Sequence, residues 1–445
     1  MDKIVNLAKR RGFIFPSADI YGGLGGFWDS GPLGVLLKNN VKAQWWKTFV
    51  QQRDDVVGID GSIVTNPRVW EASGHLKGFA DKLVECTKCH RRFKADDVAD
   101  KCPECGGAFM EARQFNLMFK TFVGPVDGDG STAFLRPETA QSIFVNYENV
   151  RDTMRNKLPF GIAQIGKAFR NEITPGNFIF RSREFEQMEI EYFVIPGQDE
   201  AAFTEWVESC YQWFINLGIK PEHVRKFEQP KAELAHYSTA TTDIEFAFPI
   251  EKGWAELMGI ANRTDYDLKQ HGKLSRNDEE AFATPVDPEG KVKKVPYVIE
   301  PSMGVDRAAL AFLLDAYTVV EGGRSTTTES IKEEEMVLKL HPALAPYKLA
   351  VLPLSKKPEL QSVAHEIAKT LRQEWMVSYD ETASIGKRYR RQDEIGTPWC
   401  VTVDFDTIEG TKRPKGTVTI RDRDTMQQDV VAIAELPGYF RAKMA

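Results

Sequence analysis

The sequence predicts an α+β protein in which a mixed, mostly antiparallel sheet flanked by helices is followed by a separate α/β domain. Strand-like runs dominate residues 113–315, whereas strands and helices alternate beyond residue 341. No apolar run approaches the ~20 residues that span a bilayer. With 445 residues, 42% of them hydrophobic, the chain can form two or three domains with sizeable cores.

Residues 1–340 are predicted to form the first domain. Its N-terminal part, to about residue 112, contains a predicted helix at 33–49, a strand at 56–64 and a cysteine-rich segment. Further strands are predicted at 115–122, 133–135, 161–170, 178–194, 243–248 and 253–262, with a helix at 204–217 against them. The polar stretches 220–238 and 268–294 are predicted to be surface insertions or a small inserted subdomain in this domain.

Residues 341–445 are predicted to form the second domain. The Glu- and Lys-rich residues 326–340 are interpreted as a linker or a solvated helix leading into it. The predicted elements are strands at 348–354, 377–380, 399–405 and 417–421 and helices at 360–374, 386–394 and 426–440. Alternating strands and helices are typical of an independent α/β unit.

An arginine-rich hairpin is predicted between Gln164 and Glu189. Apolar and polar positions alternate on both sides of a Pro-Gly turn, so that Ile165, Phe169, Phe178 and Phe180 can pack while arginines point outward. A guanidinium group is planar and permanently charged, and it can donate two parallel hydrogen bonds to phosphate oxygens. An adjacent carboxylate can accept a hydrogen bond from an amino group. This pairing suits a nucleotide, although the hairpin alone could be an ordinary surface hairpin.

A second segment, Glu-Pro-Ser-Met-Gly-Val-Asp-Arg at 300–307, follows a predicted strand at 296–300. Residues 302–304 are predicted to turn, and a helix then begins at Val305. Gly304 would allow a ligand or another backbone to approach, and Arg307 would lie in the first helical turn. Alone, this could be an ordinary strand-to-helix corner, but together the two segments indicate a nucleotide site.

The six cysteines include two Cys-x2-Cys pairs, Cys86 with Cys89 and Cys102 with Cys105. This spacing matches a tetrahedral zinc ribbon at about residues 84–108, and four thiolates would leave no position for a catalytic water. We therefore expect structural Zn²⁺. The alternative is a vestigial knuckle that binds no metal.

These motifs resemble those of class II aminoacyl-tRNA synthetases. The arginine hairpin is similar to motif 2, and Gly-Val-Asp-Arg at 304–307 to motif 3. More narrowly, Tyr21-Gly-Gly-Leu, Gly31-Pro-Leu-Gly, Arg113-Gln-Phe-Asn-Leu-Met-Phe, Arg136-Pro-Glu-Thr-Ala-Gln and Ser384-Ile-Gly-Lys-Arg-Tyr resemble the homodimeric glycyl-tRNA synthetases of class IIa. The resemblance covers residues 3–436. One departure is Ser30, where the family often has Tyr, and the cysteine segment is short, which leaves its acceptor-stem contacts open.

The resemblance implies a ligase that activates glycine with ATP and then transfers it to tRNA(Gly), releasing AMP and pyrophosphate. Arg170 and Arg307 would be catalytic, with Arg170 on the α-phosphate, Glu172 on the adenine amino group, Phe185 on the adenine face, and Arg181 and Arg183 on the triphosphate. The complete set implied for ATP is Arg170, Asn171, Glu172, Phe180, Arg181, Ser182, Arg183, Glu184, Phe185, Glu256, Leu257, Gly304, Val305, Asp306 and Arg307. Glu256 is also a candidate Mg²⁺ ligand, because Mg²⁺ needs only one or two carboxylates beside phosphate oxygens and waters.

The resemblance also implies a glycine site rich in carboxylates. The implied residues are Arg92, Glu138, Phe185, Glu186, Gln187, Met188, Glu189, Glu300, Pro301, Ser302, Met303 and Gly304. Several carboxylates around one ammonium favour a small cation, and a rigid wall can exclude an additional methyl group. Glu138 could instead be an ordinary helix-start charge, and Arg92 an ordinary surface arginine.

A homodimer and an RNA-binding C-terminal domain are further expectations. Motif 1 of the family corresponds to the helix at 33–49, in which Trp45, Trp46 and Phe49 offer area for an interface. The C-terminal domain resembles class IIa anticodon-binding domains. Within it Lys387, Arg388, Arg390 and Arg391 could bind tRNA phosphates, although such a cluster could also be a solvated helix face.

The composition and the motifs restrict the cellular location of the protein and the other functions it could have. The net charge of −6 argues against non-specific coating of nucleic acid but permits a local basic face. The absence of a basic-then-apolar leader predicts a cytoplasmic protein without membrane segments. A synthetase-like RNA-binding paralogue should lose the charged pocket residues, which this chain retains. A zinc hydrolase would need an open metal position, and the class I signatures His-Ile-Gly-His and Lys-Met-Ser-Lys-Ser do not occur.

Overall fold

A computed structural model describes residues 1–125, 132–235, 237–250, 253–287, 289–321 and 334–444. The helices in this part of the chain are α1 Asp2–Arg11, α2 Pro32–Trp46, α3 Pro67–Ala72, α4 His75–Gly78, α5 Ala140–Val145, α6 Tyr147–Met154, α7 Asp199–Asn216, α8 Tyr266–Arg276, α9 Val305–Ala316, α10 Pro358–Leu371, α11 Ile385–Ile395, α12 Phe405–Glu409 and α13 Leu436–Met444. None of them is long and apolar enough to cross a membrane.

The strands of the described residues fall into two large sheets and several small ones. They are β1 Ile14–Pro16, β2 Trp28–Ser30, β3 Val56–Gly58, β4 Val64–Thr65, β5 Ala80–Glu85, β6 Arg92–Lys94, β7 Arg113–Asn116, β8 Lys120–Phe122, β9 Thr132–Leu135, β10 Phe160–Phe169, β11 Glu184–Val194, β12 Val224–Glu228, β13 Ala240–Ala247, β14 Trp254–Thr264, β15 Thr284–Pro285, β16 Lys293–Lys294, β17 Tyr297–Gly304, β18 Tyr317–Glu321, β19 Glu334–Leu338, β20 Leu349–Pro353, β21 Val377–Tyr379, β22 Trp399–Val403, β23 Thr417–Asp422 and β24 Gln428–Ala432.

The main sheet has seven strands in the order β12-β13-β14-β17-β11-β10-β3. Every pair is antiparallel except β10 with β3, which is parallel. The C-terminal sheet, β21-β20-β22-β23-β24, is parallel across its first three strands and antiparallel after them. The α+β class with a C-terminal α/β unit is therefore confirmed.

The helices α2, α7 and α9 pack on one face of the main sheet and form the largest core. Aromatic rings join them: Phe49, in the π-helical turn after α2, lies 5.8 Å from Trp206 and 6.1 Å from Trp213 of α7 between ring centroids. Trp45 and Phe49, expected at a dimer interface, are buried in this core. Because their area is used inside the chain, they anchor α2 to the body, and Trp46 is the member of that trio that stays exposed.

Two predicted strands are each divided between different sheets. Residues 56–64 separate into β3, in the main sheet, and β4, which pairs with β9. Residues 115–122 separate into β7, beside β5, and β8, beside β9. The Asp-Gly-Ser sequence at 60–62 favours a turn in the first case. In the second, the Asn116 side chain accepts from the N–H of Met118 and donates to the carbonyl of His75, which ends the strand.

The two stretches predicted to be surface insertions or an inserted subdomain both contain regular elements of the fold. Residues 224–228 form β12, a polar edge strand of the main sheet, and an edge strand tolerates charge because one side faces water. Residues 266–276 form α8, whose Leu268 joins Phe282 and Val295 in a core with α5 and α6. Both stretches are polar because their outer faces are exposed, not because they leave the fold.

Strand and helix limits also differ near the two sequence motifs. The strand expected at 178–194 begins at Glu184, because Asn177 and Phe178 have left-handed φ values of 55° and 63° and Phe178–Phe180 forms a short 3₁₀ turn. The turn expected at 302–304 does not occur: β17 continues to Gly304 and leads directly into α9.

Two C-terminal predictions are corrected as well. Part of the predicted linker, 326–333, lies outside the described residues, and 334–338 forms the strand β19 with buried Val337 and Leu338, not a helix. The helix predicted at 426–440 is instead β24 followed by α13. The Asp422 carboxylate accepts from the N–H groups of Asp424 and Thr425, and Met426 has a φ of 61°, so the chain turns back into a strand.

The third residue of α2 shows how closely the N-terminal segment packs on it. A Cβ at Gly34 would lie 1.9 Å from the carbonyl oxygen of Phe13, and backbone on both sides cannot yield easily. Gly438, the third residue of α13, would meet nothing within 4 Å. We expect Gly34→Ala to lower the free energy of unfolding by at least about 2 kcal/mol, measured by urea denaturation.

The matched control is Gly438→Ala, which should be neutral or slightly stabilising because alanine has the higher helix propensity. Equal stability of the two variants would contradict the close approach at Gly34.

Candidate active site

A cavity of about 340 Å³ opens over the centre of the main sheet. Its walls come from the β5–β6 hairpin, the loop between β10 and β11, the strands β11, β14 and β17, and the start of α9. The lining residues are Phe79, Asp81, Lys94, Leu117, Arg170, Glu172, Ile179, Phe180, Arg181, Ser182, Phe185, Gln187, Glu256, Ser302, Met303, Gly304, Asp306 and Arg307. The two sequence motifs therefore meet in one cavity, although more than a hundred residues separate them in the chain.

Two arginines of this cavity pack against aromatic rings. The Arg170 guanidinium lies 5.5 Å from the ring centre of Phe79 and 5.3 Å from that of Phe185. The Arg307 guanidinium lies 4.4 Å from the ring centre of Phe180 and donates to the carbonyl of Glu256 over 2.8 Å. Rings hold the planar cations in fixed orientations while leaving N–H groups available for an anion.

The start of α9 is fixed by a charge network that the sequence analysis missed. The Asp306 carboxylate accepts from the N–H of Glu186 over 3.0 Å and from the Lys38 ammonium of α2 over 2.7 Å. The Glu186 carboxylate accepts from Lys42 over 2.9 Å and lies 2.8 Å from Lys38. Asp306, expected to contact ATP, and Glu186, expected to contact glycine, therefore both bond to α2, although Asp306 also lines the cavity. No local pattern reveals this, because the partners are distant in sequence.

A buried carboxylate, Glu189, lies beside the cavity with its oxygens already oriented. Its Oε1 accepts from Ser302 Oγ over 2.7 Å and from Gln187 Nε2 over 3.0 Å. Its Oε2 accepts from the N–H of Thr139 over 2.9 Å and from the Thr139 hydroxyl. Burial raises the pKa of Glu189, and these hydrogen bonds oppose the rise.

Arg263 balances the charge behind this carboxylate. It donates to both oxygens of Glu300 at 2.9 Å and to both oxygens of Asp267 at 2.8 and 2.9 Å. Its guanidinium lies 4.0 Å from the ring centre of Tyr237. The Arg263–Asp267 spacing was visible in the sequence as an i,i+4 pair, but the bond to Glu300 joins two neighbouring strands and was not.

Two further carboxyls complete the acidic group. Glu138 lies 3.2 Å from His75 Nε2, whose Nδ1 contacts Ser73 Oγ at 2.8 Å, and although burial opposes it, His75 lowers the pKa of Glu138. Glu191 is buried and neither of its oxygens has a partner among the described residues. Burial raises its pKa well above the usual range and that of Glu300 to about 8. Burial therefore favours the protonated form of Glu191.

Several residues expected at the site do not reach the cavity. Leu257, Val305 and Met188 are buried in the core, where they hold the strands and α9 in place, and Pro301 is buried in β17. Glu184 pairs with Lys167, outside the cavity.

Three further residues are used elsewhere. The Arg183 guanidinium donates to the carbonyls of Glu172 and Gly25, so it secures its own loop. The N–H of Asn171 donates to the carbonyl of Leu117. Arg92 pairs with Glu85 on the exposed side of β6, whereas Lys94, two residues on, lines the cavity.

The four cysteines come together as predicted. All four sulfur atoms lie within 4.8 Å of one another, with Cys86 and Cys105 at 3.5 Å and Cys89 and Cys102 at 3.7 Å. Sulfurs at the corners of a tetrahedron around Zn²⁺ would be about 3.8 Å apart. A Cβ at Gly107 would lie 2.9 Å from the Cys86 sulfur, so glycine permits this approach. N–H groups of Cys89 and Lys88 lower the pKa of the Cys86 thiol to about 6, which favours a thiolate ligand.

The cationic helix of the C-terminal domain is largely used inside the protein. Arg388 is buried and donates to the carbonyls of Pro353, Leu354 and Asp380. Arg390 pairs with Glu335, and Arg391 with Asp380. Lys387 is exposed. The cluster that suggested a phosphate-binding face is therefore mainly a set of internal pairs, because a helix buries every third or fourth residue and the charges are contiguous in sequence.

Comparison with protein families gives two matches along the chain. The model described as tRNA synthetase class II core domain (G, H, P, S and T) matches residues 126–317. The model described as anticodon binding domain matches residues 348–443. The two matched segments contain most of the main sheet and the C-terminal sheet, respectively.

Curated relatives resemble the chain over its whole length. A glycine–tRNA ligase of Thermobifida fusca is 51% identical over 100% of this chain and 98% of the relative. Glycine–tRNA ligases of Bifidobacterium longum and Alkaliphilus oremlandii are each 52% identical over 100% of this chain, covering 93% and 98% of those proteins.

A solved structure shares the fold. The prolyl-tRNA synthetase from Cryptosporidium parvum, complexed with halofuginone and AMPPNP, has a TM-score of 0.66 with 14% identity and covers 99% of this chain and 74% of that one. At this identity the likeness concerns the fold alone.

Removing the Arg263 charge should destabilise the protein strongly. Arg263→Met would leave Glu300 and Asp267 buried without a counter-charge, and we expect a loss of about 3–5 kcal/mol in unfolding free energy at pH 8. The loss should shrink as pH falls, because protonation removes the uncompensated charges. Urea denaturation at several pH values measures both effects.

The control is Arg276→Ala, which removes an exposed pair with Glu148 and should cost less than about 1 kcal/mol. A stability loss for Arg263→Met no larger than that of the control would refute the assigned balance of charge.

Proposed function

The chain belongs to the glycine–tRNA ligases, a family of class II aminoacyl-tRNA synthetases, and we propose from this how its cavity activates glycine. As a ligase, it joins glycine to tRNA(Gly) at the expense of ATP, with AMP and pyrophosphate as products. The observation that carries the proposal is the meeting of Arg170 and Arg307 with the oriented carboxylate Glu189 around one cavity.

In the first step, a glycine carboxylate oxygen attacks the α-phosphorus of ATP, the bond to the bridging oxygen breaks, and pyrophosphate leaves. Negative charge spreads over the phosphate oxygens in the transition state, so fixed cations lower its free energy. We assign Arg170 to the α-phosphate. Its N–H donation to the carbonyl of Pro137 over 3.0 Å and its two aromatic neighbours hold it before substrate arrives.

Arg307 and Arg181 supply the remaining cations for the triphosphate. Arg307 is held over Phe180 and against Glu256. The family resemblance also implies that Arg183 binds the triphosphate. Its guanidinium instead donates to backbone carbonyls, so the binding is assigned to Arg307 and Arg181. Phe185 offers its ring to the adenine, and Glu172, at the same wall, can accept from the adenine amino group.

Glycine binding is assigned to the acidic end of the cavity. Glu189 presents a carboxylate whose lone pairs are oriented by Ser302, Gln187 and Thr139, and an ammonium group would complete its hydrogen bonds. Glu138 lies further back and adds negative potential. Because Glu189, Glu138 and Glu300 are each hydrogen-bonded in place, the wall resists displacement by a larger side chain, which favours glycine over alanine.

In the second step, the terminal ribose hydroxyl of tRNA attacks the carbonyl of glycyl-adenylate and AMP leaves. The C-terminal domain, matched by the anticodon-binding model, is the expected tRNA reader. Of its cationic helix, exposed Lys387 is the residue best placed to meet a phosphate, since Arg388 is buried and Arg390 and Arg391 are in ion pairs. Exposed cations of the cysteine module could contact the acceptor end.

Metals are assigned by ligand chemistry. When bound, Mg²⁺ would neutralise phosphate charge, and the half-exposed carboxylate of Glu256, beside Arg307, suits it together with phosphate oxygens and waters. The four thiols suit structural Zn²⁺. A cytoplasmic location stays a prediction, with which six cysteines outside disulfides agree.

A homodimer through α2 is also proposed. Phe15, Val35 and Trp46 are 40%, 44% and 36% exposed, respectively, on or beside α2, which offers apolar area without a partner inside the described chain. The same helix carries Lys38, which bonds to the cavity-lining Asp306, and Lys42, which bonds to Glu186, so a dimer would stabilise the cavity through these ion pairs.

ATP–pyrophosphate exchange tests the proposed chemistry. We expect exchange with glycine but not with alanine or serine, and a fall of about 10²–10³-fold in Arg170→Ala, because one cation on a developing charge is removed. Arg276→Ala, at the surface, should match the unmodified protein. Absence of glycine-dependent exchange in folded protein with tRNA present would favour an RNA-binding paralogue instead.

Sedimentation velocity tests the dimer. We expect the unmodified chain to sediment as a dimer and Val35→Asp to shift it toward monomer, because a carboxylate would lose its hydration in an apolar interface. Val292→Asp, at a position that is 49% exposed in another part of the body, is the matched control. Equal dimerisation of both variants would place the interface elsewhere.

A further inference from the structure

We propose that the cysteine module forms part of the nucleotide site and that its Lys94 is an additional nucleotide-binding residue. Metal binding to the cysteines then strengthens ATP binding. The inference rests on the proposed function, since it concerns the same cavity. The module comprises β5, β6, β7 and the cysteines between residues 79 and 117.

The base of the module is joined to the arginine-rich loop. The N–H of Leu117 donates to the carbonyl of Phe79 over 3.0 Å, and the carbonyl of Leu117 accepts from the N–H of Asn171 over 2.7 Å. Phe79 is also one of the two rings that support Arg170. A displacement of the module therefore displaces residues that face the phosphates.

A charged pair from the module lies at the cavity itself. Lys94 Nζ lies 2.9 Å from Asp81 Oδ1, and both residues line the cavity opposite Glu172 and Arg181. Their side chains are 27% and 20% exposed, so the pair is open to a ligand yet partly shielded from solvent. Asp97, three residues after Lys94, lies 3.9 Å from Arg181. A nucleoside triphosphate carries several negative charges, and Lys94 adds a cation that Asp81 holds in place.

The position of Lys94 depends on the cysteines. Among the described residues, β6 is a three-residue edge strand that pairs with β5 alone, with Leu83 opposite Lys94 and Glu85 opposite Arg92. Cys86 directly follows β5 and Cys89 precedes β6, so the metal site closes the hairpin at its far end. Without a metal, β6 would be held only by its three ladder pairs with β5 and by side-chain contacts such as the Lys94–Asp81 and Arg92–Glu85 ion pairs. The loaded cluster thus orders the strand that presents Lys94.

The coupling between metal binding and ATP binding must be reciprocal. If bound metal strengthens ATP binding by some factor, bound ATP must strengthen metal binding by the same factor. The two effects can be measured without catalysis, which separates them from the chemistry of the reaction.

The first measurement is equilibrium binding of a non-hydrolysable ATP analogue with Mg²⁺ to the zinc-loaded, full-length protein. Lys94→Ala should bind roughly fivefold more weakly, in line with loss of one partly screened ion pair. Arg91→Ala, an exposed module residue paired with Glu104, should bind as the unmodified protein does. Zinc content and thermal unfolding should be unchanged in both variants, which excludes misfolding as the cause.

The second measurement is zinc release to a colorimetric chelator. We expect the saturating analogue to slow release from the unmodified protein and to have a smaller effect on Lys94→Ala. The coupling would be overturned if zinc were released at the same rate with and without the analogue. It would also be overturned if the protein retained no zinc after purification with zinc.

Arg307→Ala separates this proposal from the proposed function. If Arg307→Ala weakens analogue binding and Lys94→Ala does not, the role of Lys94 is refuted and the cavity assignment stands. If neither variant changes binding, the cavity assignment itself fails.

Discussion

The acidic centre of the protein depends on one buried guanidinium. Arg263 bonds to both oxygens of Glu300 and of Asp267 and supplies the counter-charge for these two buried carboxyl groups. Burial and Glu300 raise the pKa of the neighbouring Glu191 well above its usual range, so this carboxyl adds less negative charge than an exposed glutamate would. The charge of this core therefore depends on the guanidinium and on the burial of the carboxyl groups around it.

The helix α2 connects three parts of the molecule. Lys38 bonds to Asp306 at the start of α9, and against the opposing effect of burial, Asp306 and Glu186 raise the pKa of Lys38. Asn40, on the same helix, donates to the carbonyls of Leu344 and Ala345, in the segment that leads to the C-terminal sheet. The cavity and the C-terminal domain are thus connected through α2. A displacement of either one would therefore displace the other.

Fold class, the nucleotide motifs and the cysteine cluster could be predicted because their signals are local: alternation, Gly and Pro positions, and Cys-x2-Cys spacing. What the sequence could not reveal is which charges pair across distant strands. Arg388 was interpreted as an RNA contact, yet it is buried against backbone carbonyls, and Arg183 likewise serves its own loop. Lys38 and Arg263 were not considered, because Asp306, the partner of Lys38, and Glu300, the strand-crossing partner of Arg263, lie far along the chain. Edge strand β12 was taken for an insertion since its exposed face dominates its composition.

The register of β11 couples the cavity to the core. Phe185, Gln187 and Glu189 alternate with Glu186 and Met188, so the first set lies at or beside the cavity and the second faces α2 and the core. A gain or loss of a single residue would reverse the two sets at once. A change in the length of this strand therefore disturbs the cavity and the core together, whereas a substitution at one position disturbs one of them.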